Sequence, residues 1–132
     1  MPLAYAALLS DNAQMDHSPR LSLRLHFPQG LTFGRGKADL LQAIAEEGSI
    51  SAAGRRLGMS YRRAWSLVEE MNTHFRAPLV DSARGGARGG GAALTDLGRG
   101  VLADYRRLEQ TLREAPELES LGAALADMSE PK

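Results

Sequence analysis

The 132-residue chain contains no cysteine, which excludes disulfides and cysteine-ligated zinc. It contains no apolar run near the roughly 18 residues needed to cross a bilayer. The opening stretch MPLAYAALLS is briefly apolar but has no basic residues before it and no convincing cleavage site after it, so the expectation is a cytoplasmic protein with no membrane partner. Lysine is nearly absent, with only Lys37 and Lys132, so arginine carries the positive charge. The three histidines, His17, His26 and His74, show no metal-ligand spacing, and neither a metal nor a cofactor is expected. No Ser-His-Asp arrangement has a nucleophile elbow, and the one glycine-rich stretch lacks the Gly-Lys-Ser/Thr of a phosphate loop. An enzyme has little behind it.

What is present begins with an uneven charge distribution. Net charge is zero, yet residues 51–107 hold ten arginines against five acids, a balance of +5. Residues 1–50 come to −1 and residues 108–132 to −4. The basic middle is the expected face toward nucleic acid, and the acidic end lies behind it in sequence.

Within that middle, Ile50–Phe75 reads ISAAGRRLGMSYRRAWSLVEEMNTHF, the pattern of a helix-turn-helix. A short helix over Ser51–Leu57, capped by Ser51, meets a turn at Gly58-Met59, where glycine tolerates positive φ. Ser60 caps a longer second helix on which Ala64, Val68, Met71 and Phe75 form the inward face. Ala52, Ala53 and Gly54 are small enough to let the helices cross closely. Gly54 is nonetheless a weak choice inside a helix, about 1 kcal/mol worse than alanine.

Arg62 and Arg63 stand at the amino end of that second helix, where cations oppose the macrodipole by a few tenths of a kcal/mol each. A sequence chosen only for stability places them at the other end. Recognition helices touch base edges with their amino-terminal residues, and arginine can pair bidentately with guanine. Ser60, Tyr61, Arg62, Arg63 and Ser66 are therefore the candidate readers. Arg55 and Arg56 are expected on phosphates. Trp65 is expected as a packing anchor.

Around this unit, Leu21–Phe27 alternates like a half-buried strand, Pro28-Gln29-Gly30 turns, and Leu31–Phe33 returns. A helix from about Gly36 to Glu47 follows, ended by Gly48. Beyond Phe75, two short strands flank a glycine-rich loop holding Arg84 and Arg88, a wing able to reach backbone or minor groove. Thr95 caps the next helix, whose stripe Leu97, Val101, Tyr105, Leu108 and Leu112 exceeds what a small wing covers. That surplus suggests a homodimer seam, to which Leu40 is also assigned, the alternative being that the stripe simply closes the monomer core. Pro116 interrupts the helix, and Leu118, Leu121 and Leu125 mark a short acidic helical tail. The division expected is a flexible leader (1–19), a mainly α winged helix-turn-helix with a C-terminal dimerisation helix (20–112) and the tail (113–132).

The segments GKADLLQAIAEEGSISAAGRRLGMSYRRAWSLVEEMN, PLV, the glycine-rich loop and ALTDLG together resemble the N-terminal domain of ModE-type molybdate-responsive transcriptional regulators. The LT-x-x-G of Leu94, Thr95 and Gly98 is shared more widely with LysR-type regulators. The resemblance implies a winged helix-turn-helix, a homodimer joined through first and last helices, and control of molybdenum uptake or molybdoenzyme genes. It places Ser60–Arg63 and Ser66 on the reading helix and Arg84–Gly91 on the wing. The family's molybdate-binding barrels have no counterpart before Lys132, so molybdate sensing is expected to fall to a separate protein partner, if to any. The competing expectation is a dimeric protein-interaction module that keeps the fold and does not read double-stranded DNA.

Overall fold

The computed structural model describes residues 19–83 and 91–125. The elements run β1 (Leu25–His26), β2 (Thr32–Phe33), α1 (Arg35–Glu47), α2 (Ile50–Arg56), α3 (Tyr61–His74), β3 (Val80–Ala83), β4 (Gly91–Leu94), α4 (Asp96–Arg113) and α5 (Pro116–Ala123). Two antiparallel two-stranded ribbons, β1–β2 and β3–β4, accompany the helices. This is a winged helix-turn-helix, mainly α with a small β wing. The chain divides into two compact units, residues 22–108 and a terminal unit whose described part is residues 19–21 and 109–125.

In the larger unit the core is built where α1, α2 and α3 converge. Leu40, Leu41, Ile44, Ile50, Ala53, Ala64 and Met71 are essentially without solvent contact, joined by Phe33 and Leu79. Phe33 is held by edge-to-face packing on Tyr105 (5.2 Å between centroids) and Phe75 (6.1 Å). The inward face expected on the second motif helix holds at Ala64, Val68 and Met71. Leu67, one turn from Ala64 and Met71, is buried with them.

The leading ribbon is shorter than the alternation of Leu21–Phe27 predicts. Only Leu25 and His26 pair, with Phe33 and Thr32. Leu23 is held instead by a side chain, its carbonyl accepting from the Tyr105 hydroxyl at 2.7 Å.

One expectation in the first motif helix is corrected. The cap is Ser49, not Ser51: its backbone is extended (φ −155°, ψ 151°) and its Oγ accepts from the Ala52 N–H at 3.0 Å. The apolar Ile50, 2% exposed, thus becomes the first helical residue and enters the core. Gly54 sits at the close helix crossing that the small residues of this segment predict. A Cβ there lies 3.1 Å from the Ala64 Cβ, so the missing methyl is what lets α2 lie against α3. Gly58 does take positive φ (74°), and Ser60 caps α3 by accepting from the Arg63 N–H at 3.0 Å.

The expected dimer stripe is divided by the fold. Leu40 (0% exposed) and Tyr105 (3%) lie inside the monomer, and neither offers surface to a second copy. Leu40 is pointed inward by the α1 periodicity that buries Leu41 and Ile44, while Tyr105 is drawn in by Phe33 and the Leu23 carbonyl. Leu97 and Val101 are half-buried against the core, and Leu108 is exposed.

The described terminal unit holds the last turns of α4 and the short α5, started by Pro116 at a first-turn position. Glu117 and Glu119 occupy the first turn of α5, where negative charge suits the helix dipole. Leu112 and Leu118 are half-buried, Gly122 is buried, and Leu121 and Leu125 are exposed.

Candidate nucleic-acid interface

The outward side of α3 follows from its inward side. Once Ala64, Leu67, Val68 and Met71 are committed to the core, Tyr61, Arg62, Arg63, Ser66, Glu69 and Thr73 face solvent. The predicted readers thus share one exposed surface at the amino end of the helix. No acidic residue stands in its first turn. Among the described residues no carboxylate pairs with Arg55, Arg62 or Arg63.

Tyr61, 64% exposed, leans edge-on against Trp65 with 6.1 Å between centroids. Trp65 is half-buried and packs on the core, in the anchoring role the sequence predicts. Ser60 is exposed, with its oxygen engaged as the helix cap.

Arg55 and Arg56 occupy the last turn of α2, where their charge suits the helix dipole. They differ in surroundings. Arg56 bonds Glu46 at 2.6 Å and Glu47 at 3.2 Å, and these hydrogen bonds, Glu46 first, hold its guanidinium further above its ordinary range. The same contact, after a larger contribution from the Gln42 amide, keeps the Glu46 carboxyl below the usual carboxylate range. The charge of Arg56 is therefore already offset, whereas that of Arg55 is not.

The root of the wing is fastened to the reading helix by a residue that sequence reading passed over. Asn72, on the inner side of α3, accepts from the backbone N–H of Leu79 (2.8 Å) and Val80 (3.1 Å). Its amide donates to the Val80 carbonyl at 3.1 Å. An asparagine in a helix whose periodicity marks it as neither core nor surface was the available signal. On the other side, the Ala92 N–H donates to the Gly48 carbonyl at 2.8 Å, fixing β4 to the α1–α2 turn. The strands pair from Val80↔Leu94 to Ala83↔Gly91. Arg84 and Arg88 lie outside the described residues.

Thr95 caps α4 as expected, accepting from the Gly98 N–H at 3.0 Å while donating to the Pro78 carbonyl at 2.7 Å. Gly98 explains the rest of LT-x-x-G. A Cβ at that position falls 2.1 Å from the Leu79 carbonyl oxygen, so only glycine lets α4 pass so close to the strand lead-in.

No group of three or more His, Asp or Glu able to hold a metal occurs among the described residues. No helix among them is long and apolar enough to cross a membrane.

The sequence model of bacterial regulatory helix-turn-helix proteins of the lysR family matches residues 37–99. The chain is 46% identical over 80 residues to the molybdenum-pterin-binding protein MopB of Rhodobacter capsulatus, covering 61% of this chain and 30% of that protein. It is 47% identical over 70 residues to the molybdenum transport protein ModE of Azotobacter vinelandii, covering 53% and 26%. It is 39% identical over 93 residues to the DNA-binding transcriptional dual regulator ModE of Escherichia coli K12, covering 70% and 36%. The chain spans about a third of the length of these relatives. The Escherichia coli relative is named a transcriptional regulator, and the matching family model describes regulatory proteins, not enzymes. With the amino end of α3 exposed, the wing root tied to that helix and the LT-x-x-G explained by close packing, residues 37–99 are similar to the regulatory helix-turn-helix of the lysR family, and the chain is similar in sequence to part of the ModE proteins.

Proposed function

We propose that this chain binds double-stranded DNA as a homodimer, with α3 in the major groove, and regulates genes of molybdenum uptake or molybdoenzymes. The observation that carries the reading is the exposed amino end of α3, where Arg62, Arg63, Tyr61 and Ser66 face outward and no acid stands in the first turn. Two-fold pairing through Leu97, Val101 and Leu108 of α4 sets two reading helices about 34–36 Å apart, one turn of duplex. Leu112 is proposed to extend that seam, and Arg84 and Arg88 to contact the backbone beside it. The molybdenum connection is drawn from the names of the relatives, and the proposed setting is the cytoplasm.

Gel-shift titration against genomic fragments tests the reading. Affinity falls steeply with salt as phosphate contacts release counterions. Arg62→Ala reduces specific binding more than non-specific binding, by about 1–3 kcal/mol for one lost guanine pair. Arg55→Ala reduces both alike. Binding indifferent to salt and to both substitutions defeats the proposal. Sedimentation of Leu108→Glu addresses the dimer: a monomer is expected, and an unchanged dimer removes the α4 seam.

A further inference from the structure

Beside the reading helix lies a cleft of about 300 Å³ that the charge balance along the sequence does not reveal. Its walls carry Arg24 from the segment leading into β1, Arg35 and Lys37 from the first turn of α1, and Arg63 from α3, with Met59 between them. No carboxylate lines it. Lys37 is fixed in place, its Nζ donating to the Thr32 carbonyl at 2.7 Å and lying 3.4 Å from Glu70. Arg24, Arg35 and Arg63 are exposed and pair with no carboxylate among the described residues. Four cations gathered from three separate segments, with one half-buried carboxylate at their edge, leave an excess of positive potential in a concave site. Such a site suits a phosphate group, which arginine holds through paired N–H donors.

Arg63 identifies which phosphate. It belongs both to the amino end of α3 and to the wall of the cleft. A duplex laid along α3 therefore carries one strand of its backbone past the cleft mouth. We propose that this cleft seats a backbone phosphate of the bound DNA, so that Arg24 and Arg35 extend the interface beyond the helix-turn-helix into the β1–α1 corner. The proposal rests on the DNA-reading function above. It also divides the two arginines of α3: Arg62 reads base edges, while Arg63 helps to clamp the phosphate.

The test uses the full chain with two labelled duplexes of equal length, the best-binding genomic fragment and a random sequence, titrated from 50 to 200 mM salt. Arg24→Ala/Arg35→Ala is expected to weaken binding to both duplexes by a similar factor, on the order of tenfold, and to lower the slope of log K against log salt by about one. Arg24→Lys/Arg35→Lys is expected to restore most of that slope. Circular dichroism melts matching the parent confirm that these exposed positions leave the fold intact. An unchanged slope with unchanged affinity overturns the proposal, as does a loss confined to the genomic fragment. Titration of the free protein with inorganic phosphate at constant ionic strength separates a small anion from a backbone phosphate. No saturable binding is expected. Saturable binding abolished by the double substitution, with DNA affinity untouched, assigns the cleft to a free anion and overturns the proposal. If the parent protein binds neither duplex, the DNA-reading function itself fails, and the cleft proposal falls with it.

Discussion

Asn72→Ala removes the side chain that fastens the wing root to the reading helix. Asn72 satisfies two backbone donors, Leu79 N–H and Val80 N–H, and donates to the Val80 carbonyl. Leu79 is 0% and Val80 3% exposed, so their N–H groups have little independent access to water. Leaving a buried donor unpaired costs about 1–3 kcal/mol. Asn72 itself is half-buried, and its truncation opens room for a water at one of the two donors. The expected loss is therefore about 2–4 kcal/mol, less than two full penalties and more than one ordinary hydrogen bond. Asn72→Asp keeps both acceptances but sets a carboxylate oxygen against the Val80 carbonyl in place of the donating amide, so it should also be less stable than the parent. Urea unfolding checks this: the midpoint falls while the slope stays constant, the mark of a changed stability rather than a changed unfolded state. Amide exchange at Leu79 and Val80 should accelerate more than exchange at Leu41 in α1. An alanine variant within about 0.5 kcal/mol of the parent, the range of an ordinary surface substitution, refutes the reasoning.

Gly98→Ala should be severe, because the new methyl meets the Leu79 carbonyl oxygen and no rotamer can relieve a backbone clash. A cost of about 3 kcal/mol, at the upper end for overpacking, is expected as a thermal midpoint lowered by more than 10 °C, roughly. Gly54→Ala sets helix propensity, worth about 1 kcal/mol, against overpacking on Ala64, which costs about 1–3 kcal/mol; a net loss in the melt supports the crossing geometry, and a gain refutes it. Glu46 titrates below the ordinary carboxylate range because Gln42 and Arg56 bond its charged form. Its small contribution is thus present above the unfolded pKa and lost as pH falls through the lower folded one. An NMR titration should place Glu46 below the ordinary carboxylate range, and Gln42→Ala should raise it.

The fold was legible where one physical cause governs each position. Ser60, Gly58 and Thr95 follow from local chemistry: an oxygen for an orphan N–H, or a glycine for positive φ. Helical periodicity found the inner face of α3 at Ala64, Val68 and Met71 for the same reason. Legibility failed where two causes compete. Ser49 and Ser51 are both competent caps, and the choice is made by Ile50, whose burial requires the helix to begin one residue after Ser49. Tyr105 and Leu108 lie on the same apolar stripe, yet one has Phe33 and the Leu23 carbonyl to meet and the other does not.

The candidate site shows a deeper limit. Summing charge along the chain gave residues 1–50 a slight negative balance and removed them from the search for DNA contacts. A binding surface sums charge in space instead. Arg24 and Arg35 contribute nothing to the basic middle in sequence, yet the β1–β2 turn and the start of α1 carry them to the cleft beside Arg63. Of the acids in that sum, the three among the described residues are engaged elsewhere: Asp39 bonds Arg106, while Glu46 and Glu47 bond Arg56. The same pairing that lowers the effective charge of a predicted contact, Arg56, thus removes two acids from the field around the reading helix. Potential at the α3 surface depends on which carboxylates are already engaged, so local charge balance in sequence overstates Arg56 and misses Arg24 and Arg35. A salt-slope comparison of Arg56→Ala with Arg24→Ala/Arg35→Ala measures that difference: the double variant should lower the slope by about one and Arg56→Ala by clearly less.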